Sequence, residues 1–401
     1  MNVLFLSLLD FDDINQSNIY TDLLCEFVKN GHFVYAISPV EKRNNREVLS
    51  KKHDMYQIIK PCVGNITNTP IVEKGLALLQ FSSEIIQCIK KEIREAEIDL
   101  FLLATPPVTN DAIIKYVKMS YKARIYLLLK DIWPGNIFKV KLPGGIVTQT
   151  CVHIFFRKHE KKLYKLSDYI GCMSPANVKY VLKNNPGLDA SKIHINPNSI
   201  RPKTICVSKD ERKRIREKYM IPNDKICLVY GGTLGPGQDI YNVIDCLRKC
   251  KDVDCHFFIA GRGIQASLLE DYIANEKPTN VTYTSWIPKE EYRQVLAACD
   301  VGLVFLRYNS NTPSFPSRLL SYMEVGIPVI SCTSVASDMN KVIESGKFGW
   351  GSYSNNPDSF YDAVSKCLSS DIIEYGSNSR RYLEEHYTSD ISYRIIVESI
   401  S

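Results

Sequence analysis

The sequence predicts an α/β protein made of two Rossmann-like domains. Three observations carry this. Its 401 residues exceed what one compact core accommodates and suit two domains. Short, continuously apolar runs alternate with helical patterns, as expected of parallel strands buried on both faces. The alternation pauses near residue 200 and then restarts with a similar rhythm.

In the first half, Val3 to Leu9 is an apolar strand ending in Asp10, Asp12 and Asp13. Ile14 to Lys29 has helical spacing, closed by Gly31, and His32 to Ser38 is the next strand. Val72 to Ile93 reads as a long helix. Leu100 to Ala104, Ile125 to Leu129, Tyr169 to Met173 and Ile193 to Ile195 read as further strands. In the second half, Arg201 to Val207 is a connector and Asp210 to Tyr219 a charged helix. Strands are expected at Ile226 to Tyr230, Phe257 to Ala260, Val281 to Tyr283, Gly302 to Phe305 and Val329 to Ser331. Helices include Lys289 to Ala298, Pro316 to Val325 and those from Pro357 onward. The expected boundaries are 1–200, 201–380 and a last helical segment, 381–401, returning to the N-terminal domain.

Composition narrows the function classes. Hydrophobic residues make up 45% and charged residues 23%, ordinary for a globular protein and unlike a disordered one. The net charge of +6 is too mild to mark a nucleic-acid binder, though it suits anionic ligands. Thirteen Cys without a CxxC pair read as reduced thiols rather than a disulfide framework. No signal peptide and no apolar run of membrane-spanning length is seen, so a cytoplasmic location is expected. Val147 to Leu166 joins apolar residues to Arg157, Lys158, Lys161, Lys162 and Lys165. It reads either as a core-facing helix with a solvated basic edge or as a peripheral contact with the inner membrane.

Two constellations can carry chemistry. Tyr230-Gly231-Gly232-Thr233-Leu234-Gly235-Pro236-Gly237-Gln238 follows a strand and precedes a helix. Glycines let backbone N–H groups approach a phosphate closely, although the same loop also reads as a tight turn. It is neither a G-x-G-x-x-G fingerprint nor a P-loop. The second runs from Ser314 to Val329. Pro316 suits a first helical turn, Ser317 offers a hydroxyl, and Arg318 supplies a permanent cation for an anion bound there. Asp10-Phe11-Asp12 could suggest a metal, but it follows the first strand and reads as a polar loop; no metal site is expected.

Here the sequence resembles the retaining family-4 GT-B glycosyltransferases, also called glycosyltransferase group 1. The Gly326-Ile327-Pro328-Val329 stretch after a helix matches that family's C-terminal signature. Asn30-Gly31-His32-Phe33-Val34, Asn196-Pro197-Asn198-Ser199, Ile259-Ala260-Gly261-Arg262-Gly263 and Ala298-Cys299-Asp300-Val301-Gly302 match others in order and spacing. Asp131-Ile132-Trp133-Pro134 with Pro316-Ser317-Arg318 is similar to the branch that builds bacterial surface polysaccharides. Two glutamates that many members carry correspond to Pro313 and Ser321, and the glycine-loop Arg and Lys to Thr233 and Gln238.

The resemblance implies a GT-B fold, two Rossmann-like domains facing a central cleft. It implies a hexosyltransferase that retains anomeric configuration without metal or cofactor. The nucleotide-sugar donor, UDP-linked by family precedent, would lie on the C-terminal domain and a glycan or lipid-linked acceptor on the N-terminal one. Gly232, Thr233, Gln238, Arg262, Trp286, Pro316, Ser317, Arg318 and Ser321 are the expected donor contacts. Asn15, Gln16 and Tyr20, at the start of the first helix, and Trp133 are the expected acceptor contacts. Asp131 is either a helix N-cap or the group that meets the donor sugar or acceptor hydroxyl. The lost glutamates also fit a non-catalytic glycosyltransferase-like partner subunit, and the fold a nucleotide-sugar epimerase.

Overall fold

The computed structural model describes residues 1–44, 49–67, 69–132 and 145–401. The chain divides into two compact units, Met1–Arg201 with Ser389–Ser401, and Pro202–Thr388.

The first unit contains β1 (Asn2–Leu6), β2 (Phe33–Ile37), β3 (Val40–Glu41), β4 (Leu49–Lys52), β5 (Tyr56–Lys60), β6 (Cys62–Val63), β7 (Leu100–Ala104), β8 (Arg124–Leu129), β9 (Tyr169–Cys172) and β10 (Ile193–Ile195). Eight of them form one sheet in the order β10-β9-β8-β7-β1-β2-β5-β4, in which only β4 runs antiparallel to its neighbour. The apolar runs form strands because both faces are covered: every residue of β7 is buried. Helices Ile71–Glu92, Asp111–Tyr121 and Gly145–Leu166 contribute Phe81, Ile113 and Leu163 to one core layer. Helix Thr21–Lys29 and the terminal helix Ser389–Ile400 contribute Phe27 and Ile396 to the other. Tyr393 on that last helix meets Phe27 edge-on at 4.9 Å and reaches His32 Nε2 at 2.9 Å.

The first helix is shorter than its periodicity suggested. It begins at Thr21, not Ile14. The Asn18 side-chain oxygen accepts from the N–H groups of Tyr20 and Thr21, and Asp13 accepts from Asn15 N–H. These local bonds compete with helical ones and hold residues 14–20 in turns. Asn15 and Gln16 therefore lie in the loop before the helix, and Tyr20 is its N-cap.

The second unit contains β11 (Cys227–Gly231), β12 (His256–Ala260), β13 (Val281–Thr284), β14 (Val301–Phe305), β15 (Val329–Thr333) and β16 (Gly349–Tyr353). All are parallel, in the order β13-β12-β11-β14-β15-β16. Chain order runs outward in both directions from the β11–β14 pair. The loops leaving the carboxyl ends of those two strands diverge there, the place where such sheets bind ligands. Helix Arg318–Glu324 ends in a Schellman motif: Gly326 takes φ +73°, its N–H donates to Met323 O, and Ile327 N–H donates to Tyr322 O at 3.1 Å.

Candidate active site

Two loops meet at the carboxyl edge of the second sheet. Beyond β11 and β12 the chains remain paired: Gly232 N–H donates to Ala260 O and Leu234 N–H to Arg262 O, both at 2.8 Å. This approach is too close for side chains. A Cβ on Gly261 would lie 1.8 Å from Gly232 O, and one on Gly263 would lie 2.0 Å from Leu234 O. The glycines thus lock the two turns together. Tyr230 closes the first turn by donating to Thr233 O at 2.7 Å.

Arg318 lies against this turn. Its guanidinium sits 4.2 Å from the centroid of the Tyr230 ring, a cation–π contact. Gly232, at φ +143°, makes room for it: a Cβ there would fall 2.1 Å from Arg318 Nη2. The charge is surrounded by Tyr230, Tyr322 and Tyr292. Tyr322 accepts from Gly231 N–H at 3.3 Å and donates to Leu303 O at 3.0 Å. Burial pushes the Tyr292 phenol up to about 12, with the Arg318 charge pulling the other way. No carboxylate among the described residues pairs with Arg318. A desolvated, unpaired guanidinium at a glycine turn is a group built to meet an anion.

The other expected donor residues sort by position. Thr233 is exposed and Gln238 half-buried on the glycine loop. Arg262 is exposed; its Nε donates to Ser285 O at 3.2 Å, and its guanidinium stands 5.7 Å from the centroid of Trp286. Trp286, 55% exposed, is a surface ring beside a cation rather than a core aromatic. Pro316 and Ser317 precede the helix that the sequence expectation had begin at Pro316. The helix starts only at Arg318, Ser317 makes no capping bond, and the helix has seven residues. So short a helix, with its first residue at Arg318, leaves Pro316 and Ser317 outside it, and the anion-binding capacity here belongs to the Arg318 side chain. Ser321 is half-buried on this helix. Glu324 cannot replace the missing glutamates: it is buried, accepting from Arg293 Nε at 2.7 Å and Lys203 N–H at 3.1 Å.

The first unit gathers a second polar group at its own carboxyl edge, after β8. Burial raises the Asp131 carboxyl above its ordinary value, with the Ile132 backbone N–H pulling the other way. It caps no described helix. Its backbone is held by Thr105 Oγ1, which donates to Asp131 O at 3.1 Å. Burial raises the Tyr20 phenol, and the charge of Asp131 adds to that, which places the two residues in one field. Asn15 and Gln16 are exposed nearby in sequence, on the loop after β1. Trp133 lies outside the described residues. Lys130, a residue that carried no signal in the sequence, donates to Asn196 O at 3.2 Å and Pro197 O at 3.0 Å. Burial brings its ammonium down to about 7. Asp10 is held by Lys60 at 2.5 Å and Asp12 by the same buried ammonium, so this Asp-x-Asp pair clamps a lysine.

Comparison with known proteins gives this geometry its class. Residues 211–386, most of the second unit, match the family described as Glycosyl transferases group 1. The probable glycosyltransferase WbjE of Pseudomonas aeruginosa is 20% identical over 325 residues, 80% of this chain and 78% of that protein. The crystal structure of Anabaena Alr3699/HepE in complex with UDP-glucose matches with a TM-score of 0.67 at 14% identity, over 100% of this chain and 99% of that one. WaaG, a glycosyltransferase involved in lipopolysaccharide biosynthesis, matches with a TM-score of 0.64 at 12% identity, over 98% of both chains. The structural likenesses are likenesses of fold. The fold is GT-B, and residues 211–386 are similar to glycosyltransferase group 1 domains. The family match and this relative support a transferase.

Proposed function

We propose that the chain transfers a hexosyl group from a UDP-sugar to a glycan or lipid-linked acceptor in surface-polysaccharide assembly, with retention of configuration and no metal. The observation that carries the donor assignment is Arg318, a guanidinium without a carboxylate partner among the described residues, laid against Gly232 where the strand order of the second sheet reverses. In this reading the unit Pro202–Thr388 holds the donor and the other unit the acceptor. Arg318 meets the diphosphate, with Arg262 as the second cation and Trp286 as a platform for the base. Thr233, Gln238 and Ser321 supply hydrogen bonds around it, and Pro316 and Ser317 line its approach. Structures of the same fold that hold UDP-glucose, and relatives named for glycosyl transfer and lipopolysaccharide, support the choice of donor and setting.

The chemistry required is departure of UDP with the electron pair of the C1–O bond, attack of an acceptor oxygen on the same face, and loss of the acceptor proton. Negative charge grows on the leaving phosphate, and a fixed guanidinium stabilises it without reorganisation. Asp131 is assigned to the sugar or acceptor hydroxyl, with Tyr20, Asn15, Gln16 and Trp133 on the acceptor side. A screen of UDP-hexoses and UDP-N-acetylhexosamines for release of UDP tests the reading. One donor should release UDP slowly in water and faster with an acceptor glycan, and proton NMR of the product should show the donor's anomeric configuration. Interconversion of donors without acceptor would make the chain an epimerase. No release from any donor would favour the non-catalytic partner.

A further inference from the structure

The charge of this chain is concentrated in one place. Between Asp111 and Asp168 the sequence has twelve Lys and Arg against four Asp and Glu, an excess of eight, while all other residues together hold 38 against 40. Two neighbouring helices of the first unit, Asp111–Tyr121 and Gly145–Leu166, display most of it. They are tied together by Asp111, which holds His159 and, at 3.7 Å, Lys162. Lys115, Lys122, Lys158, Lys161 and Lys165 are exposed, and none is ion-paired to a carboxylate among the described residues.

The longer helix orders its exposed residues along one stripe. Val147, Cys151, Ile154, Lys158, Lys161 and Lys165 recur at spacings of three and four, and all are exposed, while Leu163 and Tyr164 point into the core. The stripe is apolar in its first turns and basic in its last ones. Val147 is 69% exposed and Ile154 60%; Met119 on the neighbouring helix is 83% exposed. Exposed apolar residues beside basic ones mark an interaction surface rather than a merely solvated face. No helix among the described residues is long and apolar enough to cross a membrane.

We propose that this face of the first unit docks on an anionic phospholipid bilayer, the Lys158–Lys165 turns on the headgroup phosphates and the Val147–Ile154 turns at the acyl boundary. Attraction to the charged headgroups and burial of the apolar turns then act together. The inference is independent of the donor site, which lies on the other unit.

Vesicle sedimentation tests it, with phosphatidylcholine alone and with phosphatidylglycerol added. The wild type should sediment with the anionic vesicles, release in high salt, and stay in solution with the neutral ones. Lys158→Gln/Lys161→Gln/Lys165→Gln should weaken binding about tenfold or more. Val147→Ser/Ile154→Ser should also weaken it several-fold, with the charge untouched. Both variants alter exposed side chains, and unchanged circular dichroism and UDP titration would show each unit intact. Absence of wild-type binding to anionic vesicles would overturn the proposal. So would undiminished binding of the serine variant together with equal wild-type affinity for a DNA duplex, which would make the face a general polyanion binder.

Discussion

Arg318 is held by aromatic rings and a glycine, an arrangement that keeps its charge unneutralised. Replacing Gly232 by Ala should therefore act on the ligand more than on the fold. The new Cβ would collide with the guanidinium and force the turn away from φ +143°. Nucleotide affinity should fall by about tenfold or more, loss of one charge-assisted contact, in a titration of the folded variant. Arg318 itself was legible in the sequence, because a cation beside Pro-Ser at a glycine-rich partner loop has few other uses. Of the three tyrosines around it, Tyr230 heads the glycine loop, but Tyr292 and Tyr322 were not legible: they lie on helices where apolar spacing reads simply as core. Lys130 was equally silent, since one lysine after an apolar strand looks like a strand end. Burial lowers it to about 7, so the unfolded chain binds its proton more tightly than the folded one. Stability contributed by this group should then rise with pH from about 7 toward the ordinary lysine value of about 10.4, and be flat below that window. Thermal melts across pH should show this rise in the wild type and not in Lys130→Met.

Among the elements, the paired turns after β11 and β12 decide whether the site exists. Gly261→Ala places a Cβ 1.8 Å from Gly232 O, backbone against backbone, where neither side can yield without breaking the pairing. The expected outcome is a loss of roughly 1–3 kcal/mol or more, as for other overpacked sites, measured by denaturant unfolding, together with loss of nucleotide binding. Most strands were readable because parallel strands buried on both faces are unbroken apolar runs. The exceptions have physical causes. β16 contains Gly349 and Gly351 around Trp350, a composition that argues against a strand; yet Gly349 is needed because a Cβ there would meet Val329 O at 1.8 Å. β4 and β5 form a polar edge with no continuous apolar run. The start of the first helix was misplaced because apolar spacing continues through Ile14, whereas side-chain bonds from Asp13 and Asn18 set the backbone. The Pro316 helix was expected two residues too early: Pro at a first turn is permitted there but does not initiate a helix by itself.

For the whole molecule, the chain's last helix belongs with its first residues. Ser389–Ile400 packs Ile396 and Ile400 beside Leu23, Leu24 and Phe27, and Ser392 donates to Asn196 Oδ1 at 2.6 Å. Deleting residues 389–401 should expose that layer and destabilise the first unit, by roughly 1.5–3 kcal/mol for each large apolar side chain uncovered. The second unit, whose core is separate, should keep its own unfolding transition and its nucleotide affinity. Two transitions in a calorimetric scan, only one of them shifted, are the expected result. The double Rossmann architecture was legible from the restart of the pattern, whereas the roles of the two units rest on which side chains each presents.

The most direct test is calorimetric titration of UDP, GDP and ADP into the wild type and Arg318→Ala. Micromolar binding of UDP is expected, weakened at least about tenfold, or about 1.4 kcal/mol, by the substitution. Binding that ignores the substitution would move the diphosphate away from Arg318. Binding of no nucleotide at all would contradict the assignment of a donor site to this unit.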